Sequence, residues 1–288
     1  QDDLTDILVV DFNYDKKPDL LITYPYENSS FFVNKNKKLE KLKINIKAIS
    51  SFFKQIPINQ INFIDLDKDG KKEFAISNKD IIRGIKFENG KFKIVYQING
   101  ENNSDLSNVV KIKSHKKDKL FAFDKTRNQI TVFNSKHKLS SNIKTSGILV
   151  SELLAKDLDK DGKKELILIG RTNIMIMNEK KSAYTIKNLY MYKLPNPKSI
   201  SSILSSGDFN GNKIISVDGR RNFIEFFKIK DNKIVFDSRF KVFEKKSYRG
   251  KKTFSYQPRE LVIQDINNDD KDDIIIRVYD KIIIYYQK

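Results

Sequence analysis

The nine residues DLDKDGKKE occur twice in this chain, at Asp65–Glu73 and, letter for letter, at Asp157–Glu165, 92 positions apart. Each copy lies between apolar runs: FIDLDKDGKKEFAI begins at Phe63 and AKDLDKDGKKELIL at Ala155. The same frame returns in VVDFNYDKKPDLLI from Val9 and in IQDINNDDKDDIII from Ile263. A shortened copy, SGDFNGNKIISV from Ser206, has lost most of its acids, and VKIKSHKKDKLFAF from Val110 keeps only the apolar flanks. Measured at the first motif position, the six copies fall at Asp11, Asp65, Lys111, Asp157, Asp208 and Asp265, with spacings of 54, 46, 46, 51 and 57. Such a period marks a repeat architecture in which each unit is one supersecondary element.

Every period has the same plan. An apolar segment runs into the motif, a β-rich run follows it (Leu20 to Thr23, Phe74 to Ser77, Leu166 to Ile169, Ile274 to Val278), and two further β-like segments come after, split by a turn. Glu88-Asn89-Gly90 and Lys230-Asp231-Asn232-Lys233 carry hairpin chemistry at that turn. No stretch sustains a helical apolar period. Four strands per unit, repeated, is the blade plan of an all-β β-propeller, which leaves only short, protected sheet edges. Six repeats predict a single propeller domain over residues 1–288, of six or seven blades; the last repeat ends near Tyr286 without a visible fourth strand, which the N-terminal residues are expected to supply if no blade is missing.

With the first acid as position 1, oxygen-bearing side chains stand at positions 1, 3, 5 and 9. The sets are Asp11, Asn13, Asp15 and Asp19; Asp65, Asp67, Asp69 and Glu73; Asp157, Asp159, Asp161 and Glu165; and Asp265, Asn267, Asp269 and Asp273. In a curling loop these alternate side chains point inward, and Gly70 and Gly162 at position 6 permit the sharp turn. Hard oxygen donors without sulfur or imidazole favour calcium, while magnesium prefers to keep its waters. An EF-hand is excluded, because its twelfth position needs a bidentate Glu leading into a helix and here holds Ile22, Ile76, Leu168 and Ile276 in strand-like runs.

The motif resembles the calcium loop of FG-GAP or VCBS repeats, the blades of integrin-type β-propellers, whose pattern D-x-[DN]-x-D-G-x-x-[DE] the DLDKDGKKE copies match at every specified position. The first and last copies carry Lys16 and Asp270 where that family has Gly; the copy at Asp208 places Ser216 at position 9, and the copy at Lys111 has Lys111, Lys113 and Lys119 at positions 1, 3 and 9. The resemblance implies a propeller with structural calcium between the first and second strands of up to four blades, no calcium in the third and fifth, an extracytoplasmic home, and a binding or adhesion role. It also implies that ligands meet the face opposite the calcium loops. The second-to-third strand connections there carry KTRNQ from Lys125, GRTNI from Gly170 and GRRNF from Gly219, giving Arg127, Arg171, Arg220 and Arg221. The inter-blade stretch EKKSYRGKKTFSYQPR from Glu244 adds Tyr248 and Arg249.

Composition narrows the function further. The chain of 288 residues is 39% hydrophobic, enough to fill a core, and has no run long and apolar enough to span a bilayer; its first residues, Gln1-Asp2-Asp3, lack the features of a signal peptide, so it reads as soluble. Cysteine is absent, and the two histidines, His115 and His137, lie in basic surroundings that read as exposed loops. No nucleophile elbow, phosphate loop or zinc helix motif is present. The net charge of +18 attracts acidic partners, an acidic glycan or an acidic protein surface, while no recognised nucleic-acid motif accompanies it. A calcium-stabilised binding module is the leading expectation; a propeller-fold polysaccharide lyase or hydrolase is the alternative, since acids from separate blades can converge on one face.

Overall fold

The computed structural model describes the chain apart from residues 1–5, 25–27, 37, 44–51, 55, 57–59, 115–116, 146–149, 160, 171–172, 181–182, 192–200, 219–221, 232, 243–246, 250–251, 255–257, 268 and 279–280. It divides into two compact units, Gln1–Gly147 and Ile148–Lys288, each holding three of the six motif positions.

Six consecutive antiparallel meander sheets are the blades of a β-propeller, and no α-helix occurs among the described residues. In the first unit the blades are Asp6–Val10, Asp19–Thr23, Ser30–Lys35 and Lys38–Lys41; then Ile61–Ile64, Glu73–Asn78, Ile81–Glu88 and Lys91–Asn99; then Leu106–Ser114, Lys117–Asp124, Gln129–Phe133 and Leu139–Lys144. In the second unit they are Val150–Lys156, Glu165–Gly170, Asn173–Lys180 and Ala183–Met191; then Ser201–Asp208, Asn212–Asp218, Phe223–Lys230 and Lys233–Lys241; then Pro258–Gln264, Asp273–Val278 and Lys281–Tyr285. The sixth blade thus shows three strands, and the N-terminal residues expected to complete it lie outside the described residues. A small hairpin, Ser247–Arg249 with Lys252–Phe254, precedes it.

Short loops explain the meander. Asn89 and Gly90, both at positive φ (52° and 75°), make the two-residue turn whose twist suits the flanking strands. The buried faces then pack blade against blade. Phe12, Leu21 and Phe31 of the first blade meet Phe74, Ile76 and Phe92 of the second; Leu66 joins Leu120 and Phe133 between second and third. In the other unit Leu158 and Ile167 meet Ile214 and Phe227, and Ile215 and Ile224 meet Ile274 and Ile276. Phe12, Leu66 and Leu158 are all position 2 of the motif, so in the first, second and fourth blades the loop that gathers acids at odd positions also plugs an apolar side chain into the inter-blade core, whereas Ile266 at that position of the sixth is exposed.

Position 6 takes a left-handed backbone whatever residue stands there: φ is +87° at Gly70 and +83° at Gly162, but also +64° at Lys16 and +61° at Asp270. The loop geometry is therefore kept in the copies that lack glycine, at a local cost of about 1 kcal/mol for a residue with a Cβ. A Cβ built on Gly162 meets no atom within 4 Å, so that cost is purely conformational. Gly162→Ala is expected to lower unfolding stability by about 1 kcal/mol and Lys16→Gly to raise it by a similar or smaller amount, both with an unchanged urea m-value.

Candidate functional site

The acid at position 9 opens the second strand of each motif-bearing blade and is buried: Asp19, Glu73 and Asp273 are 0% exposed and Glu165 is 3%. Its carboxylate reaches back to the loop entrance. The amide of Leu66 donates to Glu73 Oε2 at 2.6 Å, that of Leu158 to Glu165 Oε2 at 2.8 Å, and that of Ile266 to Asp273 Oδ2 at 3.0 Å. A carboxylate so placed loses its water and needs positive charge in return.

In the first, fourth and sixth blades the loop backbone is folded around the position-1 acid in one way. Asp11 Oδ2 accepts from Lys16 N–H, Asp157 Oδ2 from Gly162 N–H and Asp265 Oδ2 from Asp270 N–H, each at 2.9 Å. The position-5 amides of Asp15, Asp161 and Asp269 donate to the carboxylate at position 1 and to the side-chain oxygen at position 3, at 2.9–3.3 Å. Carboxylate oxygens of Asp157, Asp159 and Glu165 lie within 4.8 Å of one another. In the first blade Asp19 Oδ1 accepts from the amide of Asn34 at 2.8 Å, while Oδ2 is buried without a hydrogen-bond partner. Burial raises the Asp19 pKa, and the neighbouring amides of Asn34, Asn13 and Phe12 offset this only in part.

The second blade differs, although its nonapeptide is identical to that of the fourth. Asp65, Asp67 and Glu73 again gather within 4.8 Å. Among them stands the ammonium of Lys86, whose Nζ lies 2.5 Å from Asp69 Oδ2, 3.2 Å from Asp67 Oδ2 and 3.2 Å from Glu73 Oε1. Lys86 is only 2% exposed. Burial alone would depress its pKa, but the three carboxylates outweigh it and hold the ammonium above the usual lysine range. Glu73, by contrast, is raised by its burial in spite of Lys86 and the Leu66 amide. The loop backbone has adapted too, for Asp65 Oδ1 accepts from the amide of Lys68 at 2.6 Å. Nothing along the chain marks Lys86; its signal is a lysine on the third strand one step beyond the Phe74–Ile85 pair and so opposite Glu73.

The third and fifth blades have replaced the loop. The third runs almost directly from strand to strand, and Lys111 Nζ donates to the Asp65 carbonyl at 2.6 Å while pairing with Asp118 at 3.1 Å. In the fifth, the pairing of Gly207 with Lys213 shows that three residues are deleted from the loop, so Lys213, rather than Ser216, takes the structural place of the buried acid. Its ammonium donates to Asp237 at 2.7 Å, and Asp237 also pairs with Lys228. Asn212 Nδ2 donates to the Asp157 carbonyl at 2.6 Å, which repeats in the second unit the link that Lys111 makes in the first.

The strand boundaries place the connection that carries Arg127 at the sheet end opposite the motif loops. Arg171, Arg220 and Arg221 lie outside the described residues, as does His115; Tyr248 and Arg249 belong to the small hairpin, opposite Thr253 and Lys252. Arg127 is fully engaged within its own unit: Nη1 donates to Asp124 Oδ2 at 2.8 Å and Ser104 Oγ at 2.9 Å, Nη2 to the Asn102 carbonyl at 2.7 Å, and Nε faces Glu101 at 3.5 Å. His137, expected to be exposed, is half-buried, its ring edge-on to Tyr96 at 4.9 Å between centroids. Burial, then Lys68 and Lys111, lower its pKa.

Asp124 is 0% exposed; burial would raise its carboxyl pKa, but Arg127 and the amides of Asp105 and Arg127 together hold it below the usual range. Its contribution to stability is therefore complete above the ordinary carboxylate range and lost as pH falls through the depressed value. Arg127→Ala removes the principal lowering partner. The acid unfolding midpoint, followed by circular dichroism, is expected to move to higher pH in that variant; an unchanged midpoint would show that the backbone amides alone hold Asp124.

No family model matches the chain, and no curated protein matches it in sequence. Among solved structures it is similar to BBS1N crystallised in complex with ARL6DN and soaked with lead, with a TM-score of 0.64 and 8% identity over 98% of this chain and 78% of that one. The mercury-soaked crystal gives 0.62 and 9% over 98% and 77%. A chain of the mitotic checkpoint complex gives 0.59 and 7% over 94% and 71%. At these identities the likeness establishes the fold alone, that of a β-propeller.

Proposed function

We propose that the chain is a calcium-braced β-propeller that acts as an extracytoplasmic binding module for an acidic partner. The observation that carries the calcium reading is the buried, unpartnered Oδ2 of Asp19 at the mouth of a loop rich in side-chain oxygens. The donor sets fit the ion: Asp11, Asn13, Asp15 and Asp19 would hold it in the first blade, Asp157, Asp159, Asp161 and Glu165 in the fourth, and Asp265, Asn267, Asp269 and Asp273 in the sixth, all hard oxygen donors. A divalent cation there would neutralise the gathered carboxylates and fix the corner between first and second strands. Asn178 adds support in the fourth blade, since its buried Oδ1 has no hydrogen-bond partner and the register puts it opposite Glu165. Extracellular calcium modules bind at about 10⁻⁴ to 10⁻³ M, so such loops fill outside the cytosol, which motivates the localisation.

No helix among the described residues is long and apolar enough to cross a membrane. The partner is proposed to be an acidic protein surface or acidic glycan because of the +18 charge and the arginines recurring in the second-to-third strand connections. A protein partner is consistent with the use of the same fold by BBS1N, which was crystallised in complex with ARL6DN.

Calcium removal tests the brace. EDTA is expected to lower the melting temperature, and Asp159→Ala to lower bound calcium by one ion per chain together with the calcium-dependent part of that shift. Each filled site contributes about 2.7 kcal/mol at a hundredfold excess over Kd. A melting temperature indifferent to EDTA would end the calcium reading. For the partner, Arg171→Ala with Arg220→Ala is expected to reduce the salt concentration that elutes the protein from an acidic polysaccharide column more than removal of two exposed strand lysines does. Equal reductions would mean that general charge, without a shaped site, attracts the partner.

A further inference from the structure

We propose that Lys86 is the resident cation of the second blade, so that of the two identical nonapeptides only the one at Asp157–Glu165 takes up calcium. The inference rests on the calcium reading above and divides it. The ammonium has three N–H donors, and three carboxylates stand around it, from Asp67, Asp69 and Glu73, at 3.2, 2.5 and 3.2 Å. These are three of the four side chains that the motif offers a metal. Two of these contacts are hydrogen bonds, to Asp67 and Asp69, while Glu73 Oε1 faces the ammonium as an ion pair without a hydrogen bond, so the buried charge is compensated from three sides. A divalent ion entering the same loop would have to share these oxygens with a positive charge anchored in a β-strand.

Nor can Lys86 easily withdraw. Its neighbours in the third strand, Ile85 and Phe87, pack into the core between the first and second blades, and its side chain is buried with them. Expelling it would leave three carboxylates facing one another at the moment the ion arrives. In the fourth blade the corresponding residue, one step beyond the Leu166–Met177 pair and opposite Glu165, is Asn178. Its neutral side chain brings an oxygen without a partner where the second blade brings a charge. Opposite the closing acid, the register places Val33 in the first blade and Tyr286 in the sixth, neither of them cationic. The nonapeptide therefore does not specify the ion by itself. The residue across the ladder from position 9 supplies a cation in the second blade and a neutral amide in the fourth.

The test is calcium stoichiometry, by equilibrium dialysis on the full chain, in wild type and four variants. Asp67→Asn is expected to leave the number of bound ions unchanged, while Asp159→Asn loses one. Lys86→Asn is expected to gain one ion and to depend on calcium for its stability more than wild type does, and Asn178→Lys to lose one. If Asp67→Asn loses an ion as Asp159→Asn does, or Lys86→Asn gains none while folded, the assignment of Lys86 is overturned and the calcium reading of the other blades stands. Should Lys86→Asn fail to fold even in calcium, Asp67→Asn and Asn178→Lys decide the matter. A wild type that binds no calcium removes the broader reading instead; Lys86 then stands or falls on whether Lys86→Asn binds one ion where wild type binds none.

Discussion

A carboxylate buried at the first residue of a strand is the constraint from which the rest of this molecule follows. Asp19, Glu73, Glu165 and Asp273 all occupy that place, nearly inaccessible to water. Each is needed there because it ties the loop entrance to the second strand, accepting an amide two positions inside the motif in three of the four blades. Neutral N–H groups offset only part of the cost of removing a charge from water, and Asp273 accepts two of them, from Ile266 and Gln287. A cation beside the acid, or loss of the acid, relieves the rest. The second blade adds Lys86. The fifth discards the acid and reverses the polarity, with Lys213 in the acid's place and Asp237 across the sheet. For the first, fourth and sixth the proposed answer is an ion from solution.

Electrostatics and packing are joined at that corner because they share residues. The loop that curls to gather oxygens at odd positions turns position 2 the other way, and Phe12, Leu66 and Leu158 are thereby set into the cores between blades. A corner that opens would pull an apolar plug from between two sheets as well as separating charges. This coupling gives a physical reason for a melting temperature to follow cation occupancy even though the loops lie on the surface. It also explains the bonds from Lys111 and Asn212 to the carbonyls of Asp65 and Asp157, by which blades without the acidic motif steady the loop of the blade before them.

The fold was legible in the sequence because its signal repeats. Six occurrences of one apolar frame fix strand positions, and two-residue turns such as Asn89-Gly90 announce themselves by composition. What was hidden depends on pairing across the sheet or on backbone geometry. Lys86 is one lysine among 46, and nothing in its neighbours along the chain separates it from the solvated majority. Only the register that places it opposite Glu73 reveals its work. The shortened fifth loop is hidden for the same reason, since counting along the chain puts Ser216 at position 9 whereas pairing puts Lys213 there. Position 6 shows that backbone geometry can persist without its usual residue, since Lys16 and Asp270 depart from glycine and yet keep its left-handed backbone. Arg127, read as a possible ligand group from its place in a connection, is occupied by a buried aspartate three residues before it.

The contrast between the two identical nonapeptides bears on how a motif should be read. Nine residues determine which oxygens can converge, and they do so alike in the second and fourth blades. They do not determine the charge already present where those oxygens converge, because that space is bounded on its far side by the third strand. On the proposed reading, a lysine there makes the corner independent of the surroundings, while an asparagine leaves it responsive to the ion concentration outside. If the fourth loop takes an ion as proposed, the same nine residues serve within one chain as a fixed joint and as a conditional one, and the residue thirteen positions beyond the closing acid, Lys86 or Asn178, is where the two corners differ.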